Sequence, residues 1–154
     1  MRNAVRDKRR ALLLALAAAL LPAGRTRSAD NGTADIEQPE RTEDSAFIER
    51  AFALMREALD SGDQGYGAVV VRDGRIIGQA ASRVVVNRDP TAHAEMEAIR
   101  DAARRAGSRD LGGCALYSSS PPCPMCEAAA YWAGIDRLVH GSAARDAGPP
   151  RLCC

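Results

Sequence analysis

The sequence predicts a single layered α/β domain, and three observations predict it. Its 154 residues suit one hydrophobic core, since domains usually hold about 100–150 residues. Amphipathic stretches with apolar residues three or four apart alternate with short apolar runs bounded by turn residues, which is the signature of helices interleaved with strands. The composition, 46% apolar and 27% charged, is ordinary globular usage and excludes disordered, collagen-like and disulfide-scaffold classes.

The elements follow in order. Phe47, Ala51, Leu54, Met55, Ala58 and Leu59 recur at helical spacing, with Asp44 or Ser45 placed to cap, and predict a first helix ending near Gly62. Ala68-Val69-Val70-Val71, the turn Asp73-Gly74 and Ile76-Ile77 predict a hairpin, because Asp-Gly supplies the positive φ angles of a tight turn. Asp89-Pro90-Thr91 opens a second helix with Thr91 as its cap, running through Met96, Ile99 and Ala103 to Gly107. Cys114-Ala115-Leu116-Tyr117 reads as a buried strand, Pro124 to Ala133 as a third helix, and Arg137-Leu138-Val139-His140 as the last strand. No internal repeat is visible.

Ahead of this domain the chain changes character. Arg2, Arg6, Lys8, Arg9 and Arg10 form a cationic head, followed by eleven uncharged apolar residues, Ala11 to Leu21. That run is too short to span about 30 Å of hydrocarbon, so no stable membrane span is expected. Head, apolar run and the small residues up to Ala29 read as an export signal over residues 1–29. Arg9-Arg10-Ala11-Leu12-Leu13 looks like a twin-arginine signal and places the protein in the periplasm or outside the cell. The alternative is a disordered extension on a cytoplasmic protein. Residues 30–43 lack apolar periodicity and read as a linker, 44–142 as the domain, and 143–154 as a short tail. The net charge of +1 hides an asymmetry, since residues 30–154 carry 14 bases against 19 acids. An acidic body argues against a nucleic-acid partner, which needs several cations on one face to neutralise phosphates.

The chemistry concentrates in His93-Ala94-Glu95 and Pro122-Cys123-Pro124-Met125-Cys126. One imidazole and two thiolates are a zinc-preferring set, and three protein ligands leave the fourth tetrahedral position for water. Cys123 and Cys126 are three apart at the start of a helix, so one turn brings both sulfurs to one side and the helix N-terminus favours their ionised form. Glu95 is two residues from His93, a spacing that does not share a helix face; it reaches the metal only if the metal sits off the helix end. The competing readings are a core pair, a redox dithiol, half of a structural zinc knuckle, or a site or disulfide completed by Cys153 and Cys154.

Asp89-Pro90-Thr91-Ala92-His93-Ala94-Glu95 and Pro122-Cys123-Pro124-Met125-Cys126 resemble the two motifs of the zinc-dependent cytidine deaminase superfamily, an H-x-E and a P-C-x-x-C. Together with Tyr131-Trp132-Ala133 they look most like the branch of guanine deaminases and tRNA adenosine deaminases, over roughly residues 45–142. The resemblance implies a three-layer α/β/α fold with a mixed central sheet and one Zn2+ per chain on His93, Cys123 and Cys126. It implies that Glu95 is the proton shuttle, that Tyr66 stacks on the base, that the Ala94 amide touches the ring, and that Trp132 walls the pocket. The activity it implies is hydrolytic deamination of a small free base or nucleoside by a zinc-activated hydroxide, a guanine-like purine first, with a homodimer open as the assembly. The alternatives are a tRNA adenosine deaminase and an exported zinc-binding domain with impaired catalysis.

Three departures from the family pattern bear on substrate choice. Ser82 stands where the family usually has an Asn that reads the base's polar edge, so a shorter donor is expected there. Pro121 replaces the Glu commonly found before Pro-Cys and removes a carboxylate from the metal's surroundings. The sequence stops twelve residues after Ser142, short of the closing helices of guanine deaminases.

Overall fold

The computed structural model describes residues 35–152; the export-signal segment, residues 30–34 of the expected linker and the Cys153-Cys154 pair lie outside the described residues. Among the described residues, four helices, α1 (Asp44–Asp60), α2 (Val84–Asn87), α3 (Ala94–Ala106) and α4 (Pro124–Trp132), interleave with five strands, β1 (Gly67–Arg72), β2 (Arg75–Ala81), β3 (Cys114–Ser118), β4 (Arg137–His140) and β5 (Arg145–Gly148). The strands form one sheet in the order β2-β1-β3-β4-β5. Only β3 and β4 run parallel, so the sheet is mixed as expected.

The alternation of β1 divides the core. Ala68 and Val70 face one side, with Ala94, Ala98 and Ala102 of α3, Ala130 of α4, Leu116 and Leu138. Val69 and Val71 face the other, with Phe47, Ile48 and Leu54 of α1, Tyr117 and Val139. Residues Ala68 to Val71 of β1 are therefore all apolar because helices cover both faces of the strand, and the layers are α/β/α.

Close helix–sheet approach is written into two glycines. A Cβ on Gly67 would sit 2.1 Å from the Ala51 carbonyl of α1, and one on Gly78 would sit 2.4 Å from the Ala102 nitrogen of α3. The hairpin turn is the one that Asp73-Gly74 predicts, with φ of 51° and 71° at its two central residues.

Four local expectations change. The helix predicted to follow a Thr91 cap is α3, and it starts at Ala94: Asp89 accepts hydrogen bonds from the Thr91 backbone and hydroxyl, holding that segment in a turn, and extended His93 is the N-cap. Residues 36–38 of the expected linker are docked, with the Gln38 carboxamide donating to and accepting from the Ile76 backbone on edge strand β2 and Ile36 packed on the α1-side core. The expected tail holds a fifth strand, β5, paired antiparallel with β4. Its sequence, Arg-Asp-Ala-Gly, is too polar to signal a strand; Asp146 anchors it through Arg137 of β4, whose guanidinium also pairs with Asp44. Asp44 is accordingly the first residue of α1 and no cap, its carboxylate taken by Arg137 and by the Tyr117 hydroxyl, which donates at 2.7 Å. Among the described residues no helix is long and apolar enough to cross a membrane.

Candidate metal centre and cavity

Two helix N-termini converge on one point. His93 is the N-cap of α3 and Cys123 the N-cap of α4, both in extended conformation, and Cys126 lies within the first turn of α4. Extended caps throw the imidazole and the first thiol off the helix ends instead of along their sides. This geometry removes the objection that His93 and Glu95 cannot share a helix face: only Glu95 is in the helix, in its first turn.

The donor atoms are spaced for a tetrahedral ion. His93 Nδ1 lies 3.7 Å from Cys123 Sγ and 3.6 Å from Cys126 Sγ, and the two sulfurs are 3.6 Å apart. Zinc bonds of about 2.3 Å to sulfur and about 2.05 Å to nitrogen require tetrahedral edges of about 3.8 Å between sulfurs and about 3.6 Å between nitrogen and sulfur. The two thiols are unbridged, and His93 joins them as a third donor, which is the arrangement of a metal site and is not needed by a core pair or a redox dithiol. Burial, the Glu95 carboxylate and Cys123 all push the Cys126 thiol upward, so its ionised form needs a cation among the three donors.

Glu95 is 5% exposed beside this cluster. Burial raises its carboxyl above the ordinary Glu value; its own backbone N–H, His93 and the Cys126 thiol pull the other way without cancelling that rise. A buried carboxyl with a raised pKa is suited to holding and releasing a proton.

Glu95, His93 and Cys123 line a cavity of about 560 Å³ with Gln64, Tyr66, Ser120 and Pro121. A larger cavity of about 710 Å³ lies among Ile36, Gln38, β2 and the end of α3, but its chemistry is arginine and one aspartate, with no metal-ligand set. The reactive groups therefore sit in the smaller cavity.

The other expected site residues divide. Tyr66, 43% exposed, is in the cavity wall. Ala94 is buried as the first residue of α3, and its N–H is one of the first-turn donors that have no intrahelical acceptor. Trp132 is not in the wall. It is the last residue of α4, about 12 Å along the helix from the ligand end, 67% exposed, with its ring edge-on to Tyr131. Ser82 is not there either: it is 1% exposed, and its hydroxyl donates to Asp63 Oδ1 at 2.8 Å.

Asp63, Gln64 and Ser120 are the site-region residues that the sequence reading passes over. Asp63 accepts from the Gln64 N–H, the Ser82 hydroxyl and the Val85 and Val86 N–H groups at 2.7–2.9 Å, capping α2 from a distant segment. Burial alone would raise its carboxyl, but these four bonds hold it below the ordinary Asp range. The one signal in the sequence is a polar pair just ahead of an apolar strand, which is common in any loop.

Residues 41–142 match the family profile described as the cytidine and deoxycytidylate deaminase zinc-binding region. Guanine deaminase of Bacillus subtilis is 43% identical over 102 residues, 66% of this chain and 65% of the relative. A tRNA-specific adenosine deaminase of Aquifex aeolicus is 38% identical over 96 residues, 62% of this chain and 64% of the relative. The X-ray structure of the Bacillus subtilis guanine deaminase superposes with a TM-score of 0.60 at 42% identity, covering 64% of this chain and 66% of that one. The matches thus span about two thirds of each relative's length.

Proposed function

This chain belongs to the cytidine and deoxycytidylate deaminase zinc-binding family, and from that premise we propose that it hydrolyses an exocyclic amine from an aminated heterocycle presented as a free base or nucleoside. His93, Cys123 and Cys126 would hold the zinc. The zinc, when bound, supplies a Lewis acid that lowers the pKa of water from 15.7 toward about 7.

The chain's own residues do the rest. Glu95, buried within the cavity, takes a proton from the attacking water as its oxygen bonds to the amidine carbon. The same carboxyl returns that proton to a ring nitrogen, then carries the second water proton to the departing amine. The C–N bond breaks, ammonia leaves and a carbonyl remains. Tyr66 offers an aromatic face to the ring, and the cavity, about 560 Å³, is of a size to hold a base or nucleoside.

The observation that carries this reading is the buried Glu95 carboxyl in one cavity with two members of a three-donor cluster spaced for a tetrahedral ion. A second reading, an adenosine within tRNA, is favoured by the likeness to the Aquifex relative. The excess of 19 acids over 14 bases across residues 30–154 favours the small substrate, since like charge repels phosphates.

Ammonia release by the zinc-loaded full chain is measured on guanine, adenine, cytosine, their nucleosides and a tRNA anticodon stem-loop. We expect release from a base or nucleoside, and a fall of about 10²–10⁴-fold in Glu95→Gln with zinc retained. Inosine formed in the stem-loop alone would transfer the assignment to the second reading; no product from any of these would defeat both.

A further inference from the structure

Besides Glu95 and the ligand His93, three side chains lining the cavity could hydrogen-bond a ring: the Tyr66 hydroxyl, the Ser120 hydroxyl and the Gln64 carboxamide. Ser120 lies three residues before Cys123 on the segment that carries the thiol ligands, whereas Gln64 comes from the α1–β1 connection with Tyr66. A carboxamide alone among them presents an acceptor and two N–H donors side by side.

The backbone of Gln64 is held on both sides. Its N–H donates to Asp63 Oδ1 at 2.7 Å, and its carbonyl accepts from the Tyr66 N–H at 2.8 Å. The Tyr66 carbonyl in turn accepts from the Ser82 N–H at 2.9 Å. The Gln64 side chain, in contrast, is exposed in the cavity wall and makes no hydrogen bond among the described residues. A fixed backbone carrying an uncommitted carboxamide beside an aromatic face is arranged to read a planar ring, because little ordering remains to be done at binding. Ser82 has the opposite arrangement: its hydroxyl is committed to Asp63 and it is closed off from solvent.

We propose that Gln64 is the residue that selects the substrate, pairing its carboxamide with a neighbouring donor and acceptor on the edge of the heterocycle, and that Asp63 is the positioning residue that holds it and Ser82 in place. The proposal rests on the cavity being the deaminase site. It assigns the polar-edge role to a residue eighteen positions before Ser82 in the chain. The substrate class is an aminated ring with an N–H or amino donor adjacent to a carbonyl or ring-nitrogen acceptor.

The test uses Gln64→Met, which keeps the side-chain length and removes both polar functions, in the zinc-loaded full chain. In the active protein we expect KM for the preferred base to rise about 10- to 100-fold with kcat within about threefold, and Ser82→Ala to shift KM less. In a Glu95→Gln background, equilibrium dialysis of radiolabelled guanine, adenine and cytosine reads binding without turnover, and Gln64→Met should weaken the bound base by a similar factor. Equal binding in Gln64→Met, a larger effect from Ser82→Ala, or no binding of any of the three bases would overturn the proposal. Binding that depends on Gln64 without ammonia release by the wild type would keep Gln64 as the residue that reads the bound ring while defeating the deaminase reading.

Discussion

The ligand end of the cavity and its substrate side are built by different means. At the ligand end, each donor is tied to the start of a helix: His93 and Cys123 are N-caps, Cys126 is within a first turn, and Glu95 is one residue inside α3. Their positions follow from a few neighbouring residues, and two helix N-termini suffice to gather them. The substrate side draws on the α1–β1 connection and the end of β2, held together by Asp63, whose four bonds reach residues 64, 82, 85 and 86. A ligand end made of local geometry tolerates change elsewhere in the chain. A wall made of long-range hydrogen bonds can be retuned by one residue without disturbing the metal.

That contrast can be broken most forcefully at the ligands. Partners of metal ligands typically contribute 10–100-fold to affinity, so Cys123→Ser, which removes a ligand outright, should weaken zinc binding by more than about 100-fold. Metal analysis after dialysis against a mild chelator measures it. Full zinc retention would mean that the three donors do not form the centre.

The next largest effect is expected where the substrate wall meets α1. Gly67→Ala places a Cβ 2.1 Å from the Ala51 carbonyl, so β1 and α1 must part, at a cost of about 3 kcal/mol in denaturant unfolding. Tyr66, the preceding residue, should move with the strand and raise KM as well. A stability unchanged by this substitution would show that helix and strand are not packed as described.

Asp63 gives a pH-dependent version of the comparison. Its folded carboxyl titrates below the ordinary Asp value, so the stability it contributes is present above about pH 4 and is lost as pH falls through the folded pKa. Asp63→Asn should therefore melt below the wild type at pH 7, and the gap should narrow as the pH is lowered past 4. A gap that stays constant would show that the ionised carboxylate is not what holds residues 82–86. Zinc affinity at pH 7 should change less than stability, since Asp63 reaches the ligand segment only indirectly, through the Arg83 N–H that donates to the Ala92 carbonyl.

The smallest effect belongs to Trp132→Ala. At 67% exposure on the far end of α4, its loss should change stability by no more than about 0.5 kcal/mol. A several-fold rise in KM would instead bring Trp132 into the substrate wall, contrary to its place in this chain.

The elements legible in the sequence are those whose signals are local. The β1–β2 hairpin follows from Asp73-Gly74, the end of α3 from Gly107, and the strand Arg137–His140 from its buried pair Leu138-Val139, because each depends on a few adjacent residues. β5 was not legible, since a polar edge strand is selected by pairing with β4 and by the Arg137–Asp146 ion pair. The start of α3 differs for a local reason: Asp89 draws the Thr91 backbone and hydroxyl into a turn, and Asp-Pro-Thr reads equally as a turn or as a helix cap.

By itself the sequence determined the layered α/β class, the three soft donors and the nearby carboxylate, because residue type and spacing near a helix start dictate what can gather there. Only the tertiary structure decided that Ser82 turns away from the cavity, that Trp132 lies at the far end of α4, and that Gln64 faces the site. Those outcomes depend on which way a side chain points once distant segments have packed. Spacing along a chain carries no record of that choice, since a serine or a tryptophan of unchanged number can face a cavity, a carboxylate or water.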